Sequence, residues 1–287
     1  MDVARRLDEL PAAERAVAIG TFDGVHRGHR AAIEAARDSG LRSLVVTFDP
    51  HPRLVLGYDV QLLSTLERRL ELIGEIGPDE ALVLPFTDEL SRLEPEEFVA
   101  RVLTPLGTRV VVAAESFRFG RGRAGDVGVL RECGLEVRAV PLVEGVSSSR
   151  IRELAAAGEV GEAAGLLGRP FEVEGTVVSG DQRGGTLGFP TANLGVDPHL
   201  LVPAFGIYAG AALGTRAAVS IGVNPHYGGG ERRIEAFLLD FAGDLYGRAL
   251  RVELWERLRD ERAFGSEQEL IDQIARDVAA TRAAVRP

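Results

Sequence analysis

Two groups of residues in this chain have types and spacings that could do chemistry. The first is Gly20-Thr21-Phe22-Asp23-Gly24-Val25-His26-Arg27-Gly28-His29. The apolar run Ala16-Val17-Ala18-Ile19 leads into it as a short buried strand, and an alanine-rich helical pattern over Arg30 to Arg37 leads out. The group is therefore a strand-to-helix turn. In an open α/β sheet such a turn lies at the carboxyl edge, where ligands bind. The helix start offers unpaired N–H groups and a positive dipole end, which suit phosphate. His26 and His29 are three apart and can face one way, and Gly28 between them lets backbone or ligand come close. Neutral imidazoles donate hydrogen bonds to phosphate, and protonated ones add charge where a phosphoryl group develops it. The competing reading is a pair of surface histidines beside a helix cap. Two of only five histidines in one glycine-flanked turn weigh against it.

The second group lies far along the chain. Gly184-Gly185-Thr186-Leu187-Gly188-Phe189-Pro190-Thr191-Ala192-Asn193 is glycine-rich, then rigid. Thr191 and Asn193, two apart in a segment held extended by Pro190, share a face. Each offers a neutral oxygen, and with phosphate oxygens and waters they could complete an octahedral Mg²⁺ site. Glu235 falls early in the strand-like run Ile234 to Asp240, and alternation puts it on the face of Phe237 and Leu239, which read as buried. A carboxylate on an apolar face is a general-base candidate. A rim glutamate paired with Arg232 or Arg233 fits the same spacing equally well.

These groups need elements to position them. Ser43 to Phe48, Ala81 to Leu84, Arg109 to Ala113 and Leu135 to Val140 read as further strands, with helical stretches at Leu66 to Ile76 (apolar at Leu66, Leu70 and Ile73) and after Glu94. That alternation implies a mostly parallel, doubly wound sheet. Asp49-Pro50-His51-Pro52 reads as an exposed loop without helix, because of its prolines. Beyond the fourth of these strands, Glu115-Ser116-Phe117-Arg118-Phe119-Gly120-Arg121-Gly122-Arg123 reads either as an anion-binding loop with an aromatic floor for a planar ring or as a solvated basic turn. Ser147-Ser148-Ser149-Arg150-Ile151-Arg152 opens another helix and fits a second phosphate clamp. After Gly168-Arg169-Pro170, short alternating strands replace the helices: Phe171 to Ser179, Gly206 to Ala211, Ala217 to Ile221, Ile234 to Phe241 and Ala249 to Leu258. These predict a small closed barrel. A last helix, capped by Ser266 and Glu269, carries Leu270, Ile271, Ile274 and Val278 on one face. The boundary falls near Arg169.

Composition narrows the possibilities. A chain of 287 residues, 45% hydrophobic, is long enough for two ordinary domains with real cores. A net charge of -10 argues against wide nucleic-acid binding. Every one of the 33 basic residues is arginine, so any phosphate clamp here uses arginine rather than lysine. The lone Cys133 excludes an internal disulfide and a cysteine-rich metal site, as expected in a reducing compartment. Met1 to Glu14 lacks the apolar core of a signal peptide, and no apolar run reaches membrane-spanning length, so we expect a cytoplasmic protein without membrane contacts.

The motifs Gly20 to His29, Thr47 to Pro52, Phe117-Arg118-Phe119-Gly120 and Ser148-Ser149-Arg150 resemble the adenylyltransferase half of the prokaryotic bifunctional riboflavin kinase/FAD synthetase family. Leu187 to Asn193, Gly206-Ile207-Tyr208 and Glu235 with Leu239-Asp240-Phe241 resemble its riboflavin kinase half. The resemblance runs nearly end to end, in family order. It implies a Rossmann-like nucleotidylyltransferase domain over residues 1–168 and a β-barrel kinase domain over 169–287. It implies ATP, riboflavin, FMN and FAD as substrates and products, with Mg²⁺ at Thr191 and Asn193. Glu235 would be the kinase base. His26, His29, Ser148 and Arg150 would neutralise polyphosphate, with Asp49 near the reacting centre. Gly20, Phe22, Gly28 and Gly188 belong to the ATP-binding motifs, and Ser116, Phe117 and Phe119 to the flavin segment.

Three positions depart from the family pattern: Ser116 where asparagine or aspartate is usual, Gly184-Gly185 where Gly-Arg is usual, and His226 where threonine is usual. A chain with one active half, or a flavin-binding protein that leaves ATP intact, are the alternatives; a homo-oligomer is compatible with all of them.

Overall fold

Short runs of β-branched and small apolar residues form the first six strands, and all of them pair in parallel. They are β1 (Asp2–Ala4), β2 (Arg15–Ile19), β3 (Arg42–Asp49), β4 (Glu80–Pro85), β5 (Thr108–Ala114) and β6 (Glu136–Val140). Their order in the sheet is β1-β4-β3-β2-β5-β6. Helices link them: α1 (Arg27–Arg37), α2 (Pro52–Val55), α3 (Leu66–Ile76), α4 (Asp88–Ser91), α5 (Pro95–Phe98) and α6 (Val127–Glu132). This is a computed structural model; it describes residues 1–141, 143–180, 189–223 and 232–287. Chain contacts part it into two units, Met1–Ser148 and Ser149–Pro287.

Both faces of the sheet are covered, which is why its strands read as continuous apolar runs rather than alternating ones. One face packs Val17, Leu44, Val46, Leu82 and Val111 against Phe98, Leu103 and Leu130. The other packs Ala18, Val45 and Val112 against Ile33, Leu72 and Ile73. The strand order reverses beside β2, whose neighbours are β3 and β5, and the crevice at that switch point is where such folds take ligands. The amino edge of the sheet is closed by charge instead. Arg15 opens β2 and pairs with Glu80 at 2.7 Å, both fully buried; Arg42 reaches the same carboxylate at 2.8 Å, and Arg15 also donates to the Leu106 carbonyl.

In the second unit, α7 (Ser148–Ala157) and α8 (Val160–Leu167) precede the strands β7 (Phe171–Val178), β8 (Ala192–Gly195), β9 (Gly206–Ala212), β10 (Thr215–Val223), β11 (Arg232–Leu238) and β12 (Ala249–Arg259). These close into an antiparallel barrel, β10-β11-β8-β7-β12-β9. The helix α9 (Glu267–Ala283) ends the unit. The change of character at Arg169 coincides with the first barrel strand. By contacts, α7 beyond Ser148 and all of α8 group with the barrel.

One strand was missed and three sequence expectations need correction. The three-residue strand β1 is too short to show a period, yet it pairs with β4 at the sheet edge. Asp49 to Pro52 is not an exposed, helix-free loop: His51 is buried and caps α2, with Pro52 at the first helical position, where its missing N–H costs nothing. The inward face of α3 carries Arg68, Arg69, Leu72, Ile73 and Ile76, rotated from the expected Leu66 and Leu70. The last helix is held through Asp277, bound to Arg259 at 2.7 Å, and through its final carbonyls, which accept from Arg216. Its expected apolar stripe is only half buried, although the Ser266 cap forms.

Candidate active sites

The turn after β2 is built from left-handed backbone. Phe22, Gly24 and Val25 have φ of 49°, 79° and 37°. For a β-branched residue such as Val25 this conformation is strained, and strain of this kind persists only where surroundings over-determine it. Here they do. The buried Asp23 carboxylate accepts the Leu63 N–H at 2.9 Å and the Ser64 N–H at 3.2 Å. The Gly24 N–H donates to the Ser64 hydroxyl, and a Cβ on Gly24 would lie 2.8 Å from Leu63. Ser148 donates its hydroxyl to the Asp23 carbonyl at 3.0 Å, tying the segment after β6 to the same turn.

His26 is the N-cap of α1, and its Nδ1 accepts the His29 N–H at 3.2 Å. The two imidazoles stack with centroids 3.6 Å apart and 12° between planes. Phe22 meets the His29 ring edge-on at 5.2 Å. A Cβ on Gly28 would crowd the His26 ring at 3.3 Å, so glycine here leaves the stack its room. His26 and His29 are thus brought together as expected. Phe22 is not a surface contact: its ring is in the core, and only its backbone is left to serve a ligand.

Asp49 ends β3, beside Pro85 of β4, and Phe86 donates its N–H to the Asp49 carbonyl. The segment after β5 folds back on itself through paired backbone bonds between Phe119 and Gly125, and Gly120 and Gly125 press on Pro95 with no space for a Cβ. This separates the two phenylalanines. Phe119 is buried against Phe98 in the core, while Phe117 lies half-exposed and parallel to it, centroids 5.6 Å apart. Ser116 and Arg118 are exposed, and Arg121 is paired with Glu94 at 2.6 Å. The aromatic floor therefore reduces to Phe117, backed by Phe119. Arg150 belongs to the second unit, where it reaches Glu153 at 3.2 Å.

Sequence reasoning missed a residue in the first unit. Arg69 is 1% exposed, and its Nη1 donates to the Phe48 carbonyl at 3.0 Å and the Thr47 hydroxyl at 3.3 Å. Burial pushes its guanidinium below the usual arginine range, against the opposing pull of Asp23 and Asp49. The signal available was an arginine at a position where helical spacing brings the chain inward.

In the barrel, β8 and β11 are neighbours, and Asn193 stands directly opposite Glu235. Thr191 donates its hydroxyl to Glu235 Oε2 at 3.3 Å. Arg233 bridges the pair, with Nε 2.6 Å from Glu235 Oε1 and 2.8 Å from Asn193 Oδ1. Glu235 does share a face with Phe237, but that face is the half-exposed one; Ile234, Ala236 and Leu238 fill the barrel. So Thr191, Asn193 and Glu235 come together, and the ion pair with Arg233 is real. The donors are hard oxygens of a kind that suits Mg²⁺. Among the described residues no group of three or more His, Cys, Asp or Glu could hold a metal, so an ion here would depend on these neutral oxygens and on substrate phosphate. Gly180 guards the site: a Cβ there would lie 2.3 Å from the Asn193 amide. Gly188 and the departures at Gly184-Gly185 and His226 lie outside the described residues.

Comparison with known proteins bears on both units. A family described as FAD synthetase matches residues 9–152, and one described as riboflavin kinase matches 167–285. A Pseudomonas fluorescens protein named bifunctional riboflavin kinase/FMN adenylyltransferase is 37% identical, with 100% of this chain and 99% of that protein covered. A Listeria monocytogenes protein of the same name is 36% identical, covering 96% and 94%. A crystal structure from Streptococcus pneumoniae, named a macrolide-efflux protein, matches with a TM-score of 0.88 at 31% identity, covering 98% of both chains. Among the described residues no helix is long and apolar enough to cross a membrane.

Proposed function

We propose a division of labour within a chain that belongs to the bifunctional riboflavin kinase/FMN adenylyltransferase family. The chain makes FMN from riboflavin and ATP, then FAD from FMN and a second ATP with release of pyrophosphate. We assign the second reaction to residues 1–168 and the first to 169–287.

In the kinase half, Glu235 takes the proton of the ribityl hydroxyl. That oxygen attacks the γ-phosphorus, the bond to the bridging oxygen breaks, and ADP leaves. Thr191 and Asn193 are the residues that would hold Mg²⁺, which when bound draws charge from the ATP phosphates. Arg233 holds Asn193 and Glu235 at one level of the barrel wall. In the transferase half, a phosphate oxygen of FMN attacks the α-phosphorus of ATP, and pyrophosphate is the leaving group. No residue needs to act as a nucleophile, because the attacking oxygen is already ionised. His26 and His29, with Ser148, offset the charge on the leaving group, while α1 presents its unpaired N–H groups. The backbone of Gly20 and Phe22 lines the approach, Asp49 lies near the reacting centre, and Phe117 stacks on the flavin ring with Phe119 behind it.

One observation carries the assignment: the stacked histidine pair opens α1 at the switch point of the sheet, where a helix N-terminus meets an anion, whereas the barrel sets the Glu235 carboxylate beside the oxygens of Thr191 and Asn193. Each unit thus has the equipment that its own reaction needs. We place both reactions in the cytoplasm, where ATP is available and a lone cysteine needs no partner. Purified chain incubated with riboflavin, ATP and Mg²⁺, with flavins separated over time, tests the proposal. FMN should rise first and FAD follow. FMN that never becomes FAD would point to Ser116, and flavin that stays bound as riboflavin would contradict the catalytic reading.

A further inference from the structure

One buried charge in the α/β unit stands where an amphipathic helix ordinarily packs an apolar side chain. Arg69 sits on the inward face of α3 beside Leu72, Ile73 and Ile76, where another aliphatic side chain would complete the packing. Instead the site holds a guanidinium with 1% exposure, and its Nε is buried with no hydrogen-bond partner. An unpaired buried donor on a charged group destabilises a fold. Its other contacts show what it is placed to do.

The Nη1 of Arg69 donates to the Phe48 carbonyl at 3.0 Å, the oxygen of the peptide bond that carries Asp49. The same atom lies 3.3 Å from the Thr47 hydroxyl, and that hydroxyl in turn donates to the Thr21 carbonyl at 3.1 Å. A single side chain on α3 thereby ties the end of β3 to the strained turn after β2. The carboxylates of Asp23 and Asp49, one in that turn and one at that strand end, both act on it. Two carboxylates near a polyphosphate site repel the substrate unless a fixed cation offsets them, and a cation locked by packing offsets them without reorganisation.

We propose that Arg69 is a positioning residue of the adenylyl-transfer site: it sets the distance between Asp49 and the Gly20–His29 turn and neutralises the carboxylates there. The inference rests on the adenylyl-transfer reading of this unit. The full chain allows a clean test, because the kinase half serves as an internal control. Arg69→Met should lower kcat for FMN adenylylation about 100-fold, with KM for ATP and FMN within about threefold, and leave riboflavin phosphorylation unchanged. Arg69→Lys, which restores the charge, should recover at least about tenfold of that loss. Arg15→Met, which removes an equally buried arginine at the opposite edge of the same sheet, should lower transferase activity only in proportion to the fraction unfolded at the assay temperature. Equal losses in Arg69→Met and Arg15→Met that track unfolding would make Arg69 merely structural. So would a change confined to KM. A wild-type chain that makes no FAD from supplied FMN would overturn the underlying reading, whereas an active Arg69→Met chain would overturn this proposal alone.

Discussion

The two sites solve the problem of holding polar groups in different ways. In the α/β unit, the groups sit on turns beyond strand ends, and buried partners fix them: Asp23 on the Leu63 and Ser64 amides, Ser148 on the Asp23 carbonyl, Arg69 on the Phe48 carbonyl. In the barrel, Asn193 and Glu235 stand on two paired strands, with Thr191 just before the first of them, and sheet register does the fixing, with Asn193 opposite Glu235. A turn can aim several N–H groups at one anion, which suits a reaction that needs only orientation and charge. A pair of strands aims side chains with little freedom, which suits a reaction that needs a base at one spot. The barrel site also relies on Arg233, a cation half-exposed beside its carboxylate, whereas the cation of the α/β unit is sealed within it.

If this contrast holds, each site should fail alone. The largest effect belongs to Glu235→Gln, which removes the proposed base but keeps the shape. It should cut riboflavin phosphorylation about 1000-fold, with conversion of supplied FMN to FAD at the wild-type rate. Equal loss of both reactions would mean that Glu235 supports the fold rather than the chemistry. Next is His29→Ala, which breaks the imidazole stack. It should reduce FAD formation about 100-fold and leave FMN formation intact, as steady-state assays of the separate half-reactions would show.

The aromatic pair sharpens the contrast within one loop. Phe119→Ala removes a core side chain and should destabilise the unit by about 3–5 kcal/mol. Phe117→Ala removes a half-exposed ring and should instead raise KM for FMN about tenfold, worth about 1.4 kcal/mol of binding, with little change in Tm. Thermal unfolding and FMN titration of both variants would separate them, and a reversal of the two phenotypes would displace Phe117 from the flavin.

The smallest effect lies at the edge of the sheet away from the site. The backbone N–H of Ser43, then its hydroxyl, hold the Asp79 carboxyl below the usual carboxylate range. A carboxyl whose folded pKa lies below its unfolded value near about 3.9 stabilises the fold above that pH. That stability is lost as pH falls through the folded pKa. Ser43→Ala keeps the N–H but loses the hydroxyl. It should cost about 1 kcal/mol at pH 7 and less at pH 3, read from denaturant midpoints, with both catalytic rates unchanged. A larger cost in acid would reverse the sign.

The same residues show what a sequence discloses and what it withholds. The histidine turn was legible because a strand signal, glycines and paired histidines coincide within ten positions. The barrel was legible from strand lengths and turns. Which face of β11 points inward was not: Ile234, Ala236 and Leu238 compete with Phe237 and Leu239, and only the partners β8 and β10 decide between them. Phe117 and Phe119 look equivalent in the chain, and Pro95 on a distant helix separates them. Arg69 reads as one more charge on an amphipathic helix, because its partners, the Phe48 carbonyl and the Thr47 hydroxyl, lie more than twenty residues away. Long-range backbone contacts leave no local pattern, so they were the part that had to be seen.

The central claim is that one chain carries two self-sufficient sites, each with its own chemistry. Mixing equal amounts of the Glu235→Gln and His29→Ala chains with riboflavin, ATP and Mg²⁺ tests it most directly. Neither variant alone should make FAD at more than a few per cent of the wild-type rate, and the mixture should make it readily, with free FMN passing from one chain to the other. A mixture as inactive as its components, while the His29→Ala chain still makes FMN and the Glu235→Gln chain still accepts it, would contradict that independence.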